Sequence, residues 1–168
     1  MKIRLFCILL LLATMGCQKE GTNRADDYPD QMGEIAFDPA MDDPDFVICN
    51  ESDLVHSRTS LSYTGGRRGI EDIIRKLFDE EAQEYDFDGY ISARFLVNCH
   101  GKPGRLRIEP MDDGFLEQAA PEELMELVRK SVMALDQWVV IKPANEGKDH
   151  SKYLIFKIRR GEIDAITH

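Results

Sequence analysis

Nucleophilic or metal chemistry in this chain would have to come from its four cysteines and four histidines. His56, His100, His150 and His168 show no metal-ligand spacing. Cys99 and His100 are adjacent, but a nucleophile and its base need a defined spatial geometry, which adjacency does not supply. A disulfide and a solvated histidine account for that pair better. Two other stretches invite a ligand. Asp86-Phe87-Asp88-Gly89 is similar to part of a calcium loop, yet counting from Glu84 puts Phe95 at the twelfth position, where a bidentate Glu is needed. A turn before a strand fits it better. Gly65-Gly66-Arg67-Arg68-Gly69 could hold an anion at a helix start, but it lacks the spacing of a P-loop or a dinucleotide fingerprint. No catalytic set, metal set or cofactor motif emerges, and the expectation is a protein that is not an enzyme.

The cysteines point instead to export. Lys2 and Arg4 form a short basic region, and Leu5 to Met15 is apolar apart from Thr14. That is about 11 residues, too few for a hydrocarbon core that takes about 20, so 1–16 reads as a secretory signal. Gly16-Cys17 resembles a lipobox, which makes Cys17 the lipidated first residue of the mature chain. Thr14 and Met15 depart from the preferred aliphatic and small residues, and ordinary cleaved secretion is the alternative. Two or more acyl chains would hold the protein stably on a membrane. Gln18-Lys19-Glu20 is similar to the charged tags of some surface-exported lipoproteins, and is equally a solvated tether. Cys49 and Cys99 then remain in an oxidising compartment, where a disulfide is the common outcome. Two buried free thiols are the alternative.

Charge narrows the partners. The full chain carries −10, and losing Lys2 and Arg4 with the signal leaves about −12. Such a balance argues against nucleic acid and against a general attraction to anionic membrane surfaces. A hydrophobic share of 43% is ordinary for a globular domain. Residues 17–45 read as an acidic flexible tether, since Asp26, Asp27, Asp30, Asp38, Asp42, Asp43 and Asp45 repel one another. The domain is then 46–168.

Within it, Phe46 to Cys49 could be a short strand or an anchoring segment, and Leu54 to Tyr63 reads as irregular. Gly65-Gly66 breaks the chain ahead of a helix ending near Glu84. Its Ile70, Ile73, Ile74, Leu77 and Phe78 share one face, with Glu71 and Asp72 placed near its start to suit the dipole. Tyr90 to Asn98 alternates as a strand, Cys99 to Gly104 is a turn, and Leu106 and Ile108 mark a second strand. Met111 to Ala119 is a loop. Pro121-Glu122-Glu123 opens a second helix, whose inner stripe is Leu124, Leu127, Val128, Ser131, Val132 and Leu135. Trp138 to Ile141 is apolar, Pro143 to Asp149 a turn, and Lys152 to Arg160 the last strand. The order is α-β-β-α-β. It implies an α+β fold with two helices on one face of a small antiparallel sheet.

This ordered set resembles the C-terminal domain of TonB. Gly89, Ile91, Ala93, Phe95 and Val97 match its first strand, of the type G-x-V-x-V-x-F-x-V. Gly101 matches the turn, Trp138 and Pro143 the Trp-Pro segment, and Tyr153 to Ile158 the final strand. The Tyr-Pro pair common before the first strand is absent; Glu84-Tyr85-Asp86 stands there. Gly-Gly before the first helix and Asn-Cys after the first strand look like the branch in Bacteroidetes-type bacteria. The resemblance implies a periplasmic module that adds the N-terminal peptide of an outer-membrane receptor to the edge of its sheet. Tyr153, Ile155, Lys157 and Arg159 would then form the peptide-binding edge, and Lys152, Lys157, Arg159 and Arg160 would favour an acidic peptide. The same charges would equally protect an edge from unwanted pairing.

A TonB transmits force through a transmembrane helix and a long Pro-rich spacer, and neither is present in this reading. The expectation is an envelope lipoprotein, most simply on the outer membrane facing the periplasm, with surface exposure left open. Its partner would be a receptor peptide or another envelope protein. The alternative is a scaffold that lost the peptide edge and pairs with a second copy through it.

Overall fold

The computed structural model describes residues 35–50, 54–55, 61–81, 83–140 and 147–167. The signal 1–16, Cys17, residues 18–34, His56, Pro143 and His168 lie outside the described residues. Among the described residues, the chain forms two helices and two antiparallel sheets, an α+β fold. In chain order the elements are β1 (Leu61–Tyr63), α1 (Gly66–Glu81), β2 (Gly89–Val97), β3 (Pro103–Met111), α2 (Glu122–Met133), β4 (Trp138–Val140), β5 (His150–Arg159) and β6 (Glu162–Thr167). The larger sheet runs β3-β2-β5-β6, and β1 pairs with β4 in a separate ribbon.

The amphipathic stripes bury as their periods require. Ile70 and Ile74 of α1 are buried, with Ile73, Leu77 and Phe78 packed beside them. All six residues of the α2 stripe, Leu124 through Leu135, are buried. The five apolar ones meet Ile91, Ala93, Phe95 and Val97 of β2 and Leu154, Phe156 and Ile158 of β5 in one cluster. Phe78 stacks on Phe156 at 6.4 Å. Burying each large side chain of this kind contributes about 1.5–3 kcal/mol. Glu122 and Glu123 sit in the first turn of α2 and Lys130 in its last, matching the dipole. In α1 the start at Gly66 moves Glu71 and Asp72 out of the first turn. The dipole argument for them therefore fails, and Glu71 instead pairs with Arg67 at 2.7 Å.

Two departures from the sequence reading reshape the sheet. Leu61–Tyr63, read as irregular, pairs with the apolar Trp138–Val140 stretch. Tyr63 and Trp138 meet edge to face at 5.0 Å, and Trp138 lies 5.9 Å from Phe95. The chain also does not finish on the strand 152–160. Arg160 and Gly161 both have positive φ, 53° and 76°, the geometry of a two-residue hairpin turn. It returns the chain as β6, with Phe156 opposite Ile166 and Arg159 opposite Glu162.

His150, fully buried at the start of β5, gives the fold an acid sensitivity. Burial is the main cause that holds its imidazole below the ordinary range, with Lys152 adding to it and Asp149 opposing. The unfolded chain therefore takes up a proton below about pH 6.5 that the folded chain refuses. Stability should fall with pH there, by at most about 1.4 kcal/mol per pH unit from this group. Urea midpoints measured between about pH 7 and pH 5 should show the slope, and it should flatten in His150→Gln.

Candidate binding surfaces of the sheet

The four residues expected at a peptide-binding edge all lie on β5, and β5 is not an edge. It pairs with β2 from Gly89↔Ile158 to Val97↔His150 and with β6 from Ile155↔Thr167 to Arg159↔Glu162. An edge at these residues requires 152–160 to be the last strand; the Arg160-Gly161 turn instead leads into β6, which pairs with β5 from Ile155 to Arg159. Tyr153, Ile155 and Lys157 sit half-buried on the sheet face opposite the helices, across from Arg94, Ser92 and Tyr90 of β2.

Two of the four residues of the expected basic strip are paired with the chain's own acids. Lys157 pairs with Asp164 at 2.5 Å, and that ammonium holds the Asp164 carboxyl below its ordinary range. Arg159 pairs with Asp113 at 2.7 Å and lies 5.5 Å from the Tyr90 ring centre. Tyr90 in turn stacks on Phe115 at 4.9 Å. Lys152 approaches the Trp138 ring at 6.0 Å.

The true edges are β6 and β3. On β6, the carbonyls of Ile166 and Ile163 accept from Arg67 Nη2 at 2.9 Å and Arg75 Nη1 at 3.0 Å. Two guanidinium groups from α1 thus occupy acceptors that a new strand would need. On β3, Pro110 offers no N–H, and its carbonyl accepts from the Gln118 N–H at 3.1 Å. That fixes the outward direction, and the two-residue period turns the Ile108 backbone the same way. The Leu106 carbonyl accepts from Arg107. Among the described residues, that leaves Ile108 N–H and C=O as a short open stretch on this edge.

Beside β3 lies the segment from Ile35 to Asn50, of which Ile35 to Asp45 reads from sequence as tether. It docks rather than extends. Asp42, 7% exposed, makes a two-pronged ion pair with Arg107, both bonds at 2.7 Å. Phe46 fills the space where a side chain on Gly104 would stand, 2.3 Å from an ideal Cβ. The Arg105 guanidinium lies 5.6 Å from the Phe37 ring. The hydrogen bond from Arg107 is the main cause that lowers the Asp42 carboxyl below its ordinary range. Its contribution is present above the unfolded pKa of about 4 and fades as pH falls through the folded value. Asp42→Ala should cost about 2 kcal/mol in urea unfolding, because it strands a partly buried guanidinium.

Cys49 and Cys99 are bonded, with Cα atoms 6.1 Å apart. The bridge ties this docked arm to the β2–β3 turn across a separation of 50 residues, a closure worth about 4 kcal/mol by chain entropy. The sequence reading missed the two side chains that brace it. Asp149, 1% exposed, accepts from the N–H groups of Cys49, Asn50 and Cys99 at 2.9, 2.7 and 3.1 Å. Asn98 accepts from His100 N–H and Lys102 N–H and donates to the Val47 carbonyl, each at 3.0 Å. Asn at the end of a strand before Gly101 was the available signal for Asn98; Asp149, 50 residues from Cys99, carried none. No helix among the described residues is long and apolar enough to cross a membrane. Comparison with known proteins found no matching family model, no matching curated protein and no matching solved structure.

Proposed function

We propose that this chain is a non-enzymatic, lipid-anchored adapter of the cell envelope, a TonB C-terminal-like sheet whose last-strand edge is closed by its own β6. The observation that carries this reading is the seat of β5 between β2 and β6. In the β-augmentation that the resemblance implies, one side of the last strand stays open for a receptor peptide. Here β6, six residues of the same chain, pairs along the second half of that side, from Ile155 to Arg159. The Cys49–Cys99 bridge suits an oxidising compartment, and the signal layout with Cys17 suits an acyl anchor. The adapter would present the sheet face opposite the helices, with Tyr90, Tyr153 and Ile155, to another envelope protein.

A second reading keeps peptide addition but moves it to β3. The open Ile108 N–H and C=O favour it, though the stretch is short and Pro110 limits it on one side. Photo-crosslinking residues at Ile155 and, separately, at Glu109 in living cells distinguish the two, with adducts identified by mass spectrometry. The adapter reading expects envelope-protein adducts at Ile155 and no receptor N-terminal peptide at either position. Receptor peptides captured at Glu109 would establish the β3 reading. Receptor peptides captured at Ile155 would sink the adapter reading. The anchor is tested by metabolic labelling with a clickable fatty acid, which should label the wild type and not Cys17→Ser.

A further inference from the structure

Sequence shows Cys99 and His100 only as neighbours in a turn, with Cys49 far upstream. The fold brings all three together. His100 Nδ1 lies 3.7 Å from Cys49 Sγ and 3.4 Å from Cys99 Sγ, and the three ligand atoms lie within 4.8 Å of one another. Cys49 and His100 are exposed and Cys99 half-buried, so small solutes reach them. The frame behind them has fastenings besides the sulfur–sulfur bond. Asp149 holds the backbone of both cysteines, and Asn98 holds Val47 on one side and His100 on the other. Breaking the bond therefore leaves both sulfurs on backbones that are still fastened.

We propose that, once the disulfide is reduced, Cys49, Cys99 and His100 form a three-ligand site for a thiophilic divalent cation, Zn²⁺, with a fourth position open to solvent. Zn–S of about 2.3 Å and Zn–N of about 2.0 Å place the nitrogen and sulfur ligands of a tetrahedral centre about 3.5 Å apart. The two nitrogen–sulfur distances in this structure, 3.4 and 3.7 Å, fall on either side of that value. The sulfurs must come to rest about 3.8 Å apart, which rotation about the cysteine side chains supplies. Binding through Nδ1 leaves His100 Nε2 to carry the ring proton.

The chemistry balances with a thiol reductant. Two small thiols, or one dithiol, give two electrons and two protons; the Cys49–Cys99 bond breaks and the reductant leaves as its own disulfide. Zn²⁺ then displaces the two thiol protons and binds two thiolates and the neutral imidazole. Disulfide and metal exclude one another. Either one joins the docked arm to the β2–β3 turn, so the metal serves as a replacement fastening under reducing conditions.

The test uses the full chain in detergent, with Co²⁺ as the spectroscopic probe and Zn²⁺ as competitor. After reduction with a phosphine, one Co²⁺ per chain should bind, giving sulfur-to-metal charge-transfer absorption and the visible bands of a tetrahedral centre, both erased by Zn²⁺. The oxidised chain should give neither. His100→Ala, at an exposed position, should keep the fold and weaken binding by at least about tenfold. If reduction alone unfolds the domain, Zn²⁺ should restore its circular dichroism. Folded reduced chain without charge-transfer bands, unfolded reduced chain that Zn²⁺ does not restore, or unchanged binding in His100→Ala would each overturn the site.

Discussion

Gly161→Val is expected to destabilise the domain by about 4 kcal/mol or more and to loosen β6 before the rest of the sheet. Gly161 has φ of 76°, a conformation that costs an ordinary side chain about 1–2 kcal/mol. Space is the larger obstacle. An ideal Cβ at this position would stand 2.2 Å from the Tyr85 carbonyl oxygen and 2.6 Å from its nitrogen. These are backbone atoms, and Tyr85 is itself 7% exposed and part of the core. Nothing flexible is available to yield. The turn must open, and with it the bond from Gly161 N–H to the Phe87 carbonyl at 3.0 Å and that from Arg160 N–H to Asp88 at 2.9 Å. Urea unfolding gives the loss of stability, and amide exchange gives its location. Ser151 donates to Val55 on the outer side of β5, and the two-residue period puts the Ile155 and Lys157 N–H groups on that side, facing β6. Their exchange should accelerate more than that of Phe156, which faces β2. A loss under about 1 kcal/mol would mean that the hairpin contributes far less than this geometry requires. The same variant reports on function, since opening β6 uncovers the edge that the TonB resemblance assigns to peptide binding. Gain of receptor-peptide binding in Gly161→Val, absent in the wild type, is the expected signature of an edge that is closed rather than lost.

Asp149→Ala should cost about 3 kcal/mol or more, in a region where sequence shows only a polar turn. The carboxylate is buried and accepts from three backbone N–H groups on two separate segments. Removing it leaves those donors unsatisfied, at about 1–3 kcal/mol for each that water cannot reach. Asp149→Asn keeps one acceptor oxygen and should fall between wild type and Ala. The loss should appear in the oxidised chain, where the disulfide still joins the segments, because the penalty lies in the hydrogen bonds rather than in the cross-link. Urea midpoints of oxidised wild type, Asn and Ala variants check this ranking. Equal midpoints for all three would show that water replaces the carboxylate and that the brace is dispensable.

What the chain by itself determined is what depends on local period and composition. The stripes of both helices and the alternation of Tyr90 to Asn98 are sums of many apolar positions, and such sums survive any single error. The pairing of Cys49 with Cys99 is also the favoured expectation from composition, because under the reading of 1–16 as a signal and Cys17 as lipidated only these two cysteines remain. Elements of short length or single-residue cause did not emerge. β1 is three residues long and is a strand only because Trp138–Val140 lies beside it. β6 depends on Arg160 adopting positive φ next to Gly161; an Asn or Asp there would have announced the hairpin, and Arg does not. Its Ile163 and Ile166 are too few to show a period.

The candidate surfaces depended wholly on tertiary structure. Whether Tyr153, Ile155, Lys157 and Arg159 lie on an edge or inside a sheet is decided by one further strand, not by their own sequence. Asp42 reads as one more repelling acid in an acidic run, until Arg107 is brought within 2.7 Å and makes it a buried anchor. His100 reads as a solvated turn residue, until Cys49 arrives from another segment and sets two sulfurs beside its Nδ1. Periodicity reports which face of an element is apolar; it carries no information about which distant charge or ligand will stand opposite a given side chain. That information exists only when long-range pairing has brought the segments together.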